Sequence, residues 1–239
     1  MKITVVGQGV KKLSQITLEG LEELQNANIV LHVSIDEIAT SEWLSNNSIK
    51  NARSIKDLYE SRTIDEDNYK RILCKIIEEA EVHENVAVLL PGHPRLGVTL
   101  LQWLEKAKVQ KRFDLNVLPG ISSFATMIND LSIDPLERGT QILDANRTLL
   151  FDYDLNPHLD TFIYHVCSVG TSFVNLEDAS KDNHICQLKE HLLNYFPGEH
   201  KVTLISSSID ENSNKAQTFS VELKKIETLL SQIHFGTSL

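Results

Sequence analysis

The chain has 239 residues, 41% hydrophobic and 23% charged, with 10 Gly and 6 Pro, a balance that excludes fibrous and disordered classes and suits one large or two small globular domains. A formal net charge of −10 argues against broad contact with nucleic acid or anionic membrane, both of which need a basic footprint. Three widely spaced cysteines, Cys74, Cys167 and Cys186, together with no signal-peptide pattern and no run of membrane-spanning length, predict a cytoplasmic protein without a disulfide framework.

Strand and helix patterns alternate along the chain. Residues 3–6 (Ile-Thr-Val-Val) predict a buried strand that ends in the turn Gly7-Gln8-Gly9, and Leu18, Leu21 and Leu24 predict a helix behind a Thr17 cap. Residues 27–33 predict a second strand. Thr63-Ile64-Asp65-Glu66 has the form of a capping box, with Tyr69, Ile72, Leu73, Ile76 and Ile77 continuing a helix. A strand over 86–90, a helix over 100–107 and a strand over 114–118 follow. Beyond Ser123 the pattern loosens: a helix over 124–131, strands over 148–151, 161–166 and 202–206, and a helix over 187–195 closed by Pro197-Gly198. A polar hairpin loop over 210–217 and a returning strand over 219–223 complete the series. This is the signature of an α/β protein, read as two α/β domains, 1–118 and 119–239, with the working cleft between them.

Two segments share one build. Leu90-Pro91-Gly92-His93-Pro94 and Leu118-Pro119-Gly120-Ile121-Ser122-Ser123 each place a Pro-Gly turn at the end of a strand of branched apolar residues. The reading is that the two turns stand side by side at the carboxyl edge of a parallel sheet and offer unpartnered backbone amides to a small polar ligand. One such turn simply ends a strand in many α/β proteins; the set carries the inference.

In order and spacing, Val5-Val6-Gly7-Gln8-Gly9, Leu89-Leu90-Pro91-Gly92-His93-Pro94 and Leu118-Pro119-Gly120-Ile121-Ser122-Ser123 resemble the tetrapyrrole methylase superfamily, class III methyltransferases that use S-adenosylmethionine. Within it, the Gly-His-Pro turn, Ser132-Ile133-Asp134-Pro135 and the stretch from Asn156-Pro157-His158 to Val169-Gly170 resemble the borosin peptide backbone α-N-methyltransferases. The resemblance implies S-adenosylmethionine held by Pro91, Gly92, His93, Leu96, Gly97, Ser122 and Ser123, with Tyr164, His165 and Val166 closing the far side. It also implies a homodimer. Borosin enzymes occur fused to their substrate peptide or split from it, and a chain that stops at Leu239 without a peptide tail fits the split arrangement, with a separate precursor peptide as partner.

The resembling enzymes place a tyrosine, an arginine and a second tyrosine after the second strand, where this chain has Tyr59, Arg62 and Tyr69. An amide nitrogen is a poor nucleophile, so its methylation needs the proton drawn off and the imidate oxygen stabilised. Tyr59 would bond the amide or act as base, Arg62 would polarise the carbonyl or lower a phenol pKa, and Tyr69 would complete the pocket. The spacing departs from the family's pattern: Asp65 stands four residues before Tyr69, where the family has its arginine. Two further readings stay open, a methylase of a tetrapyrrole, corrin or other small molecule, and a degenerate protein that binds cofactor or peptide without turnover.

The remaining candidates read as structural. His184, Cys186 and His191 lack a paired ligand motif, so no metal is expected. His32, His83, His200 and His234 read as surface or edge residues, Glu78, Glu79, Glu81 and Glu84 as a solvated helix face, and Trp103 as core.

Overall fold

The computed structural model of the chain describes residues 1–11, 13–34, 36–209 and 215–239. In the first half the elements run β1 (Lys2–Gly7), α1 (Leu18–Asn26), β2 (Ile29–His32), α2 (Glu37–Asn46), β3 (Ala52–Ser54), β4 (Thr63–Ile64), α3 (Asp65–Val82), β5 (Asn85–Leu90), α4 (Leu100–Lys111) and β6 (Asp114–Leu118). The second half continues with α5 (Ser123–Leu131), β7 (Thr140–Asp144), α6 (Ala145–Leu150), β8 (Asp160–Tyr164), β9 (Phe173–Val174), α7 (Ile185–Leu192), β10 (Lys201–Ser206), β11 (Gln217–Glu222) and 3-10 turns over Leu223–Gln232. The protein is α/β. Its described residues form two compact units, one of Met1–Glu60 and Glu66–Thr126, the other of Ser61–Asp65, Met127–Ser208 and Lys215–Leu239.

The first unit is built on a five-stranded sheet in the order β3-β2-β5-β1-β6, parallel at every pairing. A parallel sheet covered on both faces needs strands that are apolar on both sides, which is what the runs in β1 and β5 supply. Ile3 and Val5 join Ile72 and Ile76 of α3 and Leu100 and Leu104 of α4 in one cluster, while Val6 joins Leu24 of α1 and Leu44 of α2 in another. Each such buried side chain contributes roughly 2 kcal/mol. At the start of α1 the Thr17 hydroxyl accepts the Gly20 amide at 3.0 Å, so the cap read from the sequence is present.

In the second unit β7 and β8 pair parallel and β10 and β11 pair as an antiparallel hairpin. The two pairs are joined by the last residues: Leu239 exchanges backbone bonds with Ile163 at 2.7 and 2.9 Å, and Ser238 with Ile205 at 2.8 and 2.9 Å. Leu188, Ile185, Leu223, Ile226 and Leu229 pack a single core with Ile163, Val166 and Leu204.

Several sequence readings change. Residues 148–151 do not form a strand: Thr148 to Leu150 lie on α6, whose start is capped by Asp144 accepting the Arg147 amide at 2.8 Å. A short apolar run does not separate strand from helix, and the cap was the better signal. Thr63-Ile64-Asp65-Glu66 is not a capping box, because Thr63 and Ile64 pair with Val174 and Phe173 as β4–β9 before α3 begins at Asp65. The helix expected over 187–195 spans Ile185–Leu192. Helix α2 and strands β3 and β7 were not foreseen. Of the hairpin loop expected over 210–217, residues 210–214 lie outside the described residues.

Candidate functional site

The three glycine motifs meet. They follow three adjacent strands, β5, β1 and β6, so their turns emerge next to one another at the carboxyl edge of the sheet, where open α/β sheets bind ligands. A Cβ on Gly7 would lie 2.6 Å from the Gly92 carbonyl oxygen and 2.8 Å from the Gly120 Cα; one on Gly120 would lie 2.6 Å from the same oxygen and 2.8 Å from the Gly7 Cα. Backbone therefore packs on backbone, and a larger residue at either position forces a turn to move. Gly92 differs: its φ of 68° is left-handed, and a Cβ there would meet nothing within 4 Å.

That close packing refines one expectation and corrects another. Strand β1 lies between β5 and β6, yet the Pro91-Gly92 and Pro119-Gly120 turns still meet, because the Gly92 carbonyl stands against Gly120. The Gly92 amide is not open to a ligand, because it donates to the Gly9 carbonyl at 2.9 Å. The β1 turn is braced by a residue the sequence did not single out. Gln15 Oε1 accepts the amides of Val10 and Lys11 at 2.8 and 2.9 Å.

Beyond Gly92 the loop folds on itself. His93 Nδ1 accepts the Arg95 amide at 3.1 Å, which places the ring proton of the neutral imidazole on Nε2, and the His93 carbonyl accepts the Leu96 amide at 3.0 Å. Pro91 is exposed, and Gly97 has a φ of 71° on the way into α4. Ser122 caps α5, its hydroxyl accepting the Ala125 amide at 3.1 Å and its carbonyl the Thr126 amide at 3.1 Å. Ser123 opens that helix, and its carbonyl accepts the Thr126 hydroxyl at 2.9 Å.

In the second unit Tyr164 ends β8, His165 follows in the left-handed region at φ 58°, and Val166 is fully buried. His165 Nδ1 is hydrogen-bonded to Asp144, the cap of α6. Burial pushes the Asp144 carboxyl up, but its bonds to His165 and to the Arg147 amide outweigh that and hold it below the usual aspartate value.

Tyr59 and Tyr69 lie together in the first unit, half-buried, with ring centroids 5.8 Å apart and planes at 75°, an edge-to-face arrangement. Asn68, one residue before Tyr69 and fully buried, accepts the Glu60 amide and donates to the Glu60 carbonyl, both at 2.9 Å. Arg71 donates from Nε to the Leu58 carbonyl at 3.1 Å and lies 3.3 Å from the Glu60 carboxylate. Sequence reading passed over both; a buried asparagine in a helix is the one local sign. Arg62 belongs to the second unit, at φ 61°, and its guanidinium meets Glu177 at 3.3 Å in an exposed ion pair. Asp65, at the position of the family's arginine, donates its amide to the Ser172 carbonyl at 3.1 Å.

Two side-residue readings are corrected. His32 is not at the surface: it is 1% exposed at the end of β2, and burial pushes its imidazole pKa down, with Glu37 opposing. Glu79 is 7% exposed rather than solvated; Lys75 at 2.8 Å and Arg53 at 2.5 Å hold its carboxyl below the usual range, Lys75 first. His191 is buried and structural, with Nε2 at 2.9 Å from the Tyr153 carbonyl. Among the described residues no group of three His, Cys, Asp or Glu is placed to hold a metal ion, and no helix is long and apolar enough to cross a membrane.

Residues 2–207 match the family described as Tetrapyrrole (Corrin/Porphyrin) Methylases. A methyltransferase/ribosomally synthesized type II borosin cyclic peptide precursor of Phlebiopsis gigantea is 22% identical over 237 residues, 99% of this chain and 42% of that protein. A type I borosin precursor of Mycena rosella is 25% identical over 229 residues, 95% of this chain and 56% of that protein. The chain thus spans about half the length of these curated relatives. Among solved structures, uroporphyrin-III C-methyltransferase of Thermus thermophilus, complexed with S-adenosylhomocysteine, superposes with a TM-score of 0.66 at 12% identity, over 100% of this chain and 95% of that one.

Proposed function

The chain belongs to the tetrapyrrole (corrin/porphyrin) methylase family, and we propose that within it this protein methylates backbone amide nitrogens of a separate ribosomal precursor peptide, using S-adenosylmethionine. The observation that carries the reading is the match, along nearly its whole length, to relatives named as borosin methyltransferase and precursor in one chain. The Tyr59–Tyr69 pair supports it by supplying two phenols to one half-buried spot. We assign the protein to the cytoplasm, supported by the free thiols of Cys74, Cys167 and Cys186, and to a homodimer.

The loops after β5, β1 and β6 fit the cofactor. Gly92 leaves open space where any other residue would put a Cβ, and the Gly7–Gly92–Gly120 contact keeps that space at a fixed place. Gly92, His93, Leu96 and Gly97 would hold it from one side and Ser122 and Ser123 from another. When bound, S-adenosylmethionine supplies an electrophilic methyl group on a sulfonium. The protein's share is then to align the acceptor nitrogen and exclude water. Tyr59 and Tyr69 would take the acceptor: one, as its phenolate, would receive the amide proton and become a phenol, while the other, as a phenol, would donate to the imidate oxygen, leaving the nitrogen pair to form the bond to the methyl as the methyl–sulfur bond breaks.

A second reading, a protein that binds cofactor or peptide without turnover, is favoured by Arg62, whose charge is engaged with Glu177, and by Asp65, whose carboxylate would repel an imidate. One experiment separates the two. The protein is incubated with S-adenosylmethionine and each short peptide that sequencing of the adjoining genes reveals, and backbone nitrogens are searched for single-methyl mass increments. Methylation is the expected result. Calorimetric binding of S-adenosylmethionine without methylation favours the second reading, and no binding refutes both methyltransferase and cofactor-binding assignments.

A further inference from the structure

We propose that Asn68 and Arg71 are positioning residues that hold Tyr59 against Tyr69, so that the reactive phenol is set from helix α3 as well as by its own loop. The inference rests on the reading of Tyr59 as catalytic. Tyr59 stands just beyond a short 3-10 turn, Lys56–Leu58, in a segment that leaves the first unit at Glu60. Within that segment the Tyr59 amide donates to the Lys56 carbonyl at 2.8 Å and the Leu58 amide to the Ile55 carbonyl at 3.2 Å. Helix α3 adds ties on both sides of Tyr59. Asn68 closes a two-bond ring with both backbone groups of Glu60, immediately after Tyr59. Arg71 takes the carbonyl of Leu58, immediately before it, and its other arm donates to Asn68 Oδ1 and lies against the Glu60 carboxylate. Both flanks of Tyr59 are thus tied to the helix that carries Tyr69.

The chemistry explains the residue types. A buried amide that both donates and accepts satisfies an N–H and a C=O at once, which neither a carboxylate nor a hydroxyl does in that geometry. A guanidinium reaches two acceptors in a fixed fork, whereas a lysine ammonium is a point charge on a flexible stem. The arrangement also gives the chain a cation beside the tyrosine loop that is independent of Arg62.

The test has a structural arm and a kinetic arm. Hydrogen exchange at the Glu60 amide, read in the full chain, is expected to quicken about tenfold or more in Arg71→Gln and Asn68→Ala, because its acceptor is loosened or lost. Arg71, at 36% side-chain exposure, carries the test if Asn68→Ala does not fold. Unchanged exchange in Arg71→Gln overturns the proposal, and this arm needs no substrate. With the precursor peptide that supports turnover, Arg71→Gln is expected to lower kcat roughly ten- to a hundredfold, with peptide KM and S-adenosylhomocysteine affinity within about twofold. Arg71→Lys is not expected to restore it. The double variant Arg71→Gln with Tyr59→Phe is expected to be no slower than Tyr59→Phe alone, because both changes remove the same positioned phenol. Independent, multiplying losses overturn the positioning role and leave the catalytic reading of Tyr59 standing. A Tyr59→Phe enzyme with unchanged kcat overturns both.

Discussion

Replacing Gly120 with alanine tests the packing that joins the three glycine loops. The new methyl would sit 2.6 Å from the Gly92 carbonyl oxygen, 2.8 Å from the Gly7 Cα and 2.9 Å from the Gly7 carbonyl carbon. All three are backbone, so no rotamer change relieves the contact, and a turn has to move by about 0.8 Å to restore ordinary separation. Overpacking of this kind costs about 1–3 kcal/mol, offset by roughly 0.4–1 kcal/mol from the stiffer unfolded chain. The net loss of about 1–2 kcal/mol corresponds to a fall in Tm of roughly 3–6 °C for a protein this size. Gly198→Ala is the control, since its methyl has no neighbour nearer than Lys224 Cβ at 3.5 Å, and it should be neutral or slightly stabilising. Gly92→Ala gives the contrasting signature: no clash, strain of about 1–2 kcal/mol from the left-handed φ, and a methyl projecting into the space assigned to the cofactor. Thermal denaturation and calorimetry with S-adenosylhomocysteine read all three. Both Gly120→Ala and Gly92→Ala should lose stability by similar amounts, and Gly92→Ala should lose the more affinity, because its methyl enters the assigned space directly. If Gly120→Ala matches Gly198→Ala in Tm and affinity, the contact does not hold the loops.

Two further outcomes follow from titratable groups. Asp144 has a folded pKa below its unfolded value, so its stabilisation is present above about pH 3.9 and is lost as pH falls through the depressed folded value. Asp144→Asn keeps an α6 cap but loses the charge facing His165. It should cost about 1 kcal/mol at pH 7, and denaturant titration should show the gap to the parent closing below pH 4; a gap constant with pH would refute the pairing as its source. For the thiols, burial pushes Cys167 up to about 11 while Cys74 and Cys186 are exposed. Alkylation of the folded protein near pH 8 should therefore label Cys74 and Cys186 and reach Cys167 only after unfolding, as peptide mass mapping would show. Early labelling of Cys167 would mean that its surroundings open readily.

Much of the first unit was legible because its signals are local. The apolar runs at 3–6 and 86–90 are long enough to be buried on both faces, and Thr17 caps α1 through a bond three residues away. Reading failed where a local signal was double-edged or a partner was remote. Thr148-Leu149-Leu150-Phe151 suits a strand or a helix, and only the Asp144 cap decides. Thr63 looks like a cap until Val174 pairs with it. The partner of Arg62 is Glu177, 115 positions away, and no spacing rule reaches so far.

For the candidate site the division is the same. By itself the sequence determined that three strand-ending glycine turns exist, because a strand followed by Gly or Pro-Gly stops for steric and dihedral reasons that act within a few residues. It also determined that two tyrosines fall about one helix start apart. Only the tertiary structure decided that β1 lies between β5 and β6, so that Gly7 packs against both Gly92 and Gly120 and occupies the Gly92 amide through Gly9. It alone decided that Asn68 and Arg71 tie the Tyr59 loop to α3. Strand order and side-chain reach across the fold are set by the burial of whole faces against one another, a balance to which no single stretch of sequence has access.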